Sequence, residues 1–173
     1  LRGSDEKPTV NYVVGFDKDD QGFFFLTNEG GEFAQLAYQR FDNQEVETIT
    51  SSISWDVQSA QLNKERTQMA FSVNEGGLGT LYLMDIDSKS YKQVQGLPVG
   101  LVGGLQFSPR GDRLALTLNT AKSPSDSFVL DLAKDKKASG ELTRWTYSEV
   151  GGLDTEQFVS PELISYPTFD EVN

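Results

Sequence analysis

A short block of residues recurs along this chain at a nearly constant interval. Asn28-Glu29-Gly30-Gly31 returns as Asn74-Glu75-Gly76-Gly77, 46 residues later, and Asn119 follows 45 residues after Asn74. The segments between these positions alternate as short β-strands do, and none has the periodicity of a convincing helix. A repeat of roughly 40–50 residues built only from short strands is typical of propeller blades. The sequence therefore predicts an all-β fold, a partial β-propeller.

About three four-stranded antiparallel blades fit the chain, at residues 10–50, 51–95 and 99–146. Residues 1–9 are expected to be a tag remnant or a disordered lead-in. Residues 147–173 form an irregular C-terminal exit segment, with one extended piece at Leu163–Tyr166. The predicted strands are, in order, Tyr12–Phe16, Gly22–Thr27, Glu32–Phe41, Glu45–Ile49, Ile53–Val57, Gln68–Val73, Thr80–Ile86, Tyr91–Val94, Gly104–Phe107, Arg113–Leu118, Ser127–Leu132 and Glu141–Trp145. A Lys- and Asp-rich hairpin loop is predicted at residues 133–140.

Three blades are fewer than a closed propeller needs, since such rings have about four to eight. The two outer blade faces are therefore expected to be uncovered and apolar, and strand edges to be unpaired. Either further blades complete the ring, or copies of the chain self-associate through the open faces.

The composition excludes several kinds of chemistry. The chain has no histidine and no cysteine, so it can form neither a Ser-His-Asp triad nor a disulfide, and nearly every transition-metal site is excluded. It also lacks a Gly-x-Ser-x-Gly elbow and a phosphate-binding glycine loop. We therefore predict no catalytic, cofactor-binding or metal-binding residues in this segment, and no cofactor.

Charge and hydropathy limit the kinds of partner that the chain can have. The net charge of −11 argues against nucleic acid as a partner, because an acidic surface repels phosphate. No stretch is apolar enough to span a membrane and no signal peptide is visible, so no membrane partner is predicted. The absence of cysteine leaves both a cytoplasmic and a periplasmic location open.

Four features have both a structural and a functional interpretation. Arg110-Gly111-Asp112 spells an adhesion tripeptide, but turn chemistry explains it better. Asp17-x-Asp19-x-Gln21-Gly22 resembles the start of a calcium loop, but Asn28 stands where a bidentate Glu is required, so a hairpin turn is preferred. Trp55 is predicted to be buried between blades, and Trp145, beside Arg144 near the break in the repeat, is a candidate to pack on a neighbouring domain. The scattered acids of the exit segment are solvated loop residues in one interpretation and bind a substrate ammonium in the other: Glu149, Asp154, Glu156 and Glu162.

Two stretches resemble a known family. Phe107-Ser108-Pro109-Arg110-Gly111-Asp112-Arg113-Leu114-Ala115 resembles the blade signature of the propellers in prolyl oligopeptidase-family serine peptidases and in the Tol-system periplasmic protein. Residues 142–153 and 158–170 are similar to the junction where the last blade of these peptidases passes into the α/β-hydrolase domain. The blade match is generic, whereas the junction match is more specific.

The resemblance implies a non-catalytic propeller fragment of an acylaminoacyl-peptidase- or dipeptidyl-peptidase-like enzyme, which caps the active site and gates the entry of peptide substrates. Its partner is then the α/β-hydrolase domain of the same parent chain, with residues 147–173 as the linker and residues 166–170 as the start of the first hydrolase strand. Candidate domain-interface residues are Arg144, Trp145, Glu149, Glu162 and Tyr166. Two alternatives stay open: a protein–protein interaction propeller without enzymatic activity, like the Tol-system protein, and a propeller enzyme that uses carboxylates in its channel.

Overall fold

The computed structural model describes residues 8–132 and 140–164. It is all-β, with three four-stranded antiparallel sheets in which the strands follow one another in chain order. Blade 1 contains β1 (Asn11–Phe16), β2 (Gly22–Thr27), β3 (Gln35–Arg40) and β4 (Val46–Thr48); blade 2 contains β5 (Asp56–Leu62), β6 (Gln68–Glu75), β7 (Leu78–Asp85) and β8 (Tyr91–Gln93); blade 3 contains β9 (Gly100–Phe107), β10 (Arg113–Thr120), β11 (Ser123–Asp131) and β12 (Leu142–Arg144). The predicted partial propeller is confirmed.

The first strands of the three blades share a local irregularity. Each pairs with the next strand in a shifted register, at Val13/Gly15 in β1, at Val57/Ser59 in β5 and opposite Ala115/Thr117 in β9. A bulge bends a strand and increases its twist. These first strands also contact one another from blade to blade, so they form the inner wall of the arc.

Blade 2 lies between the other two blades and is buried on both sides. Met69, Phe71 and Val73 of β6 pack in one cluster with blade 1, whereas Leu81 and Leu83 of β7 pack in another with blade 3. Phe71 is fully buried and its ring stacks on Tyr82 at a centroid distance of 5.0 Å. Sheet-on-sheet packing of alternate residues therefore holds the blades together.

The outer faces of blades 1 and 3 differ from each other. The face of blade 1 turned away from blade 2 is apolar, as predicted, and exposes Val13, Phe16, Phe41 and Val46 by about half or more. The corresponding face of blade 3 is mostly polar, so the prediction of an apolar face is wrong there. Its residues include Arg113, Thr117, Ser127, Asp131 and Thr143, which pair across β10, β11 and β12.

Some strand limits differ from the predicted ones. The first strand of blade 2 runs over Asp56–Leu62 and not Ile53–Val57. The prediction missed its second half because Gln58, Ser59 and Gln61 interrupt the expected apolar alternation. Trp55 precedes this strand and is 41% exposed, so its predicted burial between blades is wrong; its ring lies 6.1 Å from that of Phe33.

The two hairpin interpretations agree with the structure. Arg110 and Gly111 lie in the turn between β9 and β10, and the Asp17 carboxylate accepts a hydrogen bond from the Gln21 backbone in the turn between β1 and β2. Three predicted features lie partly outside the described residues: the lead-in at 1–9 (residues 1–7), the loop at 133–140 (residues 133–139) and the extended piece at 163–166 (residues 165–166). Residues 163–164 are not in a strand, and the exit segment contains a short 3₁₀ helix at Thr155–Gln157.

Candidate interaction site on the exit segment

Asp126 anchors the start of the exit segment, which here means residues 147–173. Asp126 lies in β11 opposite Leu118, on the face that packs against blade 2, and its side chain is fully buried. Its Oδ1 accepts hydrogen bonds from Thr146 Oγ1 at 2.9 Å, Ser148 N at 2.9 Å and Ser148 Oγ at 3.0 Å. Its Oδ2 accepts from Ser123 Oγ at 2.9 Å and pairs with the Arg144 guanidinium. Asp126 thus joins blade 3 to the residues that follow β12.

The protonation of Asp126 follows from these contacts. Burial by itself would raise the pKa of the Asp126 carboxyl, but the hydrogen bonds from Ser123, Thr146, Arg144 and Ser148 outweigh burial and hold the pKa well below its usual range. The carboxylate is therefore ionised at neutral pH and each of its oxygens has at least two donors. Because separating a buried charge from its hydrogen-bond partners is costly, Asp126 holds these partners firmly in place.

The predicted interface residues lie in different parts of the structure. Arg144 binds Asp126, donates from Nε to the Thr146 carbonyl at 3.0 Å and lies 4.6 Å from the Tyr147 ring centroid. Trp145 pairs through its backbone with Ser127, and its side chain is 67% exposed. Glu149 is exposed and accepts a hydrogen bond from the Gly151 backbone at 2.7 Å. Tyr166 lies outside the described residues.

Glu162 lies at the other end of the described exit segment. It is exposed, and the next residue, Leu163, contacts blade 2 at Gly76. The structure therefore brings Arg144 to Asp126 but does not gather the predicted residues into one cluster. Sequence reasoning missed Asp126, because the last long strand was predicted to begin at Ser127. The available signal was a lone carboxylate in the inward-facing series Asp126, Phe128, Leu130.

The middle of the exit segment packs on the turn between β10 and β11. Val150, Leu153 and Phe158 line a cavity of about 320 Å³ together with residues 119–124. Lys122 of this turn pairs with Glu156 at 3.2 Å, and Asp154 caps the 3₁₀ helix by accepting a hydrogen bond from Glu156 N. The segment therefore follows the rim of the arc, which here means the edge with the β2–β3, β6–β7 and β10–β11 turns.

The inner wall of the arc forms a second concave surface, with a volume of about 510 Å³. It is lined by all three first strands, including Tyr12 of β1, residues Val57 to Gln61 of β5, and Gly104 and Leu105 of β9. Within the described ranges, no three Asp or Glu side chains lie close enough to hold a metal ion. Nor does any helix there have the length and apolar character needed to cross a bilayer.

Known structures share the fold of this chain. The fold resembles TolB from Acinetobacter baumannii, with a TM-score of 0.60 and 16% identity over 81% of this chain and 32% of that one. It also resembles apo prolyl oligopeptidase B from Galerina marginata, with a TM-score of 0.74 and 13% identity over 95% of this chain and 23% of that one. A structure from a study of two prolyl endopeptidases gives a TM-score of 0.70 and 14% identity over 91% and 22%.

These likenesses define a β-propeller of the kind found in prolyl oligopeptidases and TolB. The chain spans between about a fifth and a third of the length of the three proteins. No protein-family model matches the sequence, and no curated protein is significantly similar to it.

Proposed function

We propose that this chain is the non-catalytic propeller portion of a serine peptidase of the prolyl oligopeptidase type, a hydrolase whose catalytic residues lie in another domain. The observation that carries this proposal is the extent of the structural match. The match to prolyl oligopeptidase B covers 95% of the chain and leaves out only about nine residues. It must therefore include most of the 27 residues from 147 to 173, of which the described residues 147–164 belong to no blade.

The chemistry of the chain agrees with a supporting role. Without histidine, no serine hydroxyl here can be activated by the usual general base. In the proposal the propeller caps the active site of an α/β-hydrolase domain and admits peptides while excluding folded proteins. More specifically, we propose that the parent enzyme is an acylaminoacyl-peptidase- or dipeptidyl-peptidase-like peptidase.

The exit segment is the proposed connection to the hydrolase domain. Several of its large apolar side chains are exposed: Tyr147 by 75%, Val159 by 85% and Ile164 by 74%, in addition to Trp145 just before it. Large apolar side chains that are exposed along one segment are candidates for an interaction surface. We assign them to the domain interface, together with the predicted Arg144, Glu149, Glu162 and Tyr166.

The experiment compares this chain with the longer protein encoded by the same reading frame. A Gly-x-Ser-x-Gly elbow followed by Asp and then His should appear after Asn173. The longer protein should hydrolyse short chromogenic peptides and spare folded proteins, and its hydrolase domain expressed alone should lose this size preference. An unchanged preference without the propeller would exclude gating, and a reading frame without the elbow would exclude the peptidase.

The alternative is a protein–protein interaction propeller without enzymatic activity. The similarity to TolB favours it, although that match leaves out about a fifth of the chain. A reading frame that ends soon after Asn173 would support the alternative.

A further inference from the structure

Residues 147–164, the described part of the exit segment, are attached unequally at their two ends. At blade 3, the buried Asp126 binds Arg144, Thr146 and Ser148 through the hydrogen bonds described above. Breaking this end would expose or leave unpaired a buried charge, which is costly. The segment is thus firmly fixed where it leaves the last strand.

The far end is held by a much smaller contact. Leu163 lies over the β6–β7 turn, against the backbone of Gly76 and close to Trp55. Leu163 nevertheless stays 73% exposed, and its neighbour Ile164 is 74% exposed. A contact that removes so little apolar surface from water contributes little free energy, because hydrophobic stabilisation scales with the buried area.

The contact point is shared by two blades. Trp55 precedes the first strand of blade 2, and its ring lies 6.1 Å from Phe33 in the loop between β2 and β3 of blade 1. Between these two ends Lys122 pairs with Glu156, and the two side chains are 42% and 85% exposed. Exposed ion pairs of this kind contribute little.

We propose that residues 147–164 form an arm that is anchored at Asp126 and docks reversibly at Gly76 and Trp55 through Leu163. In the docked state the arm lies along the rim and holds residue 164 beside blade 2. In the undocked state the Asp126 end stays in place while the Leu163 end leaves the rim. The arm is therefore a conformational device that sets the path of the chain beyond the blades, and this inference does not depend on the proposed peptidase.

The β6–β7 turn contains two adjacent glycines, and substitution of the second is a matched control for substitution of the first. Gly76 and Gly77 both have positive φ values, +62° and +88°, so alanine is strained at either position. A Cβ at Gly76 would lie 2.9 Å from Leu163 Cδ2, whereas a Cβ at Gly77 would have no atom within 4 Å. The difference between Gly76→Ala and Gly77→Ala therefore isolates the docking of Leu163.

The first readout is cleavage of the 173-residue chain by a glutamate-specific protease. Cleavage after Glu162 should be about threefold to tenfold faster in Gly76→Ala than in Gly77→Ala, because cleavage of a transiently opened segment follows the population of the open state. Cleavage after Glu149, beside the Asp126 anchor, should be equally slow in both variants. Equal rates after Glu162, or a parallel rise at Glu149, would overturn the proposal.

The second readout leaves the turn intact. In a Trp145→Phe background, Trp55 is the only tryptophan, and acrylamide quenching reports its exposure. Leu163→Ala should increase this quenching, whereas Ile164→Ala, an equally exposed neighbour, should not. Identical quenching in these two variants would show that Leu163 does not cover Trp55 and would contradict docking at this point.

Discussion

Substitution of Thr146 is the clearest test of how the exit segment is anchored. Its hydroxyl donates to Asp126 Oδ1 at 2.9 Å and accepts from Ser127 N at 2.7 Å. A hydrogen bond contributes about 0.5–1.5 kcal/mol between neutral groups and about 1.5–3 kcal/mol to a charged one. Thr146 is exposed, so the lower ends of both ranges apply, and Thr146→Val should cost about 2 kcal/mol.

For a chain of this length, about 1 kcal/mol lowers the melting temperature by about 2–4 °C. We therefore expect Thr146→Val to melt about 4–8 °C below the wild type in a thermal unfolding experiment followed by circular dichroism. Thr143→Val is the matched control, because Thr143 is exposed on the polar outer face of blade 3. Equal melting temperatures for the two variants would refute the anchoring role of Asp126.

Three further predictions concern charge and packing. The pKa of Asp126 is depressed in the folded state, so its stabilising contribution is present above about pH 4 and is lost as the pH falls further; Asp126→Asn should be less stable at pH 7 and lose less stability on acidification, as measured by urea unfolding. Phe71→Ala should cost about 3–5 kcal/mol because Phe71 is fully buried between blades 1 and 2, whereas Phe41→Ala should cost about 1 kcal/mol or less; similar losses would contradict the assigned blade interface. Burial and the hydrogen bond to Asp17 raise the pKa of Tyr38 to about 12, so the ultraviolet absorbance change that is lost in Tyr38→Phe should be centred near pH 12, and the stabilising contribution of Tyr38 should be lost as the pH rises from about 10 through about 12; a lost change centred near pH 10 would disprove this.

The repeat predicted the fold because it records where the blade turns occur. Gly76 and Gly77 adopt positive φ in a two-residue hairpin turn, as the sequence requires. The repeated asparagines, however, do not have one role. Asn74 accepts a hydrogen bond from Gly77 within its own turn, whereas Asn28 accepts one from Val10 in the chain before β1.

The first strand of blade 2 was misplaced for a physical reason. Alternation of apolar and polar residues marks strands with one buried face, but β5 carries the polar residues Gln58, Ser59 and Gln61 where it lines the inner wall of the arc. The bulge after Val57 also shifts the alternation by one residue. Polar inner strands are therefore hard to recognise from the pattern alone.

The candidate site was only partly predictable. Arg144 was predicted to lie at a domain interface, which stays a prediction, whereas its partner Asp126 is 18 positions away and is brought to it by the pairing of β11 with β12. The contact of Leu163 with Gly76 joins residues from the exit segment and blade 2 and has no sequence pattern. Long-range contacts of this kind follow from the packing of the blades and not from local propensity.

Labelling with a fluorophosphonate, which reacts with activated serines, is the most direct measurement of where the catalytic chemistry resides. The 173-residue chain should remain unlabelled, and the longer protein should be labelled at one serine beyond Asn173. Labelling of any serine within these 173 residues, or no labelling of the longer protein, would contradict the account.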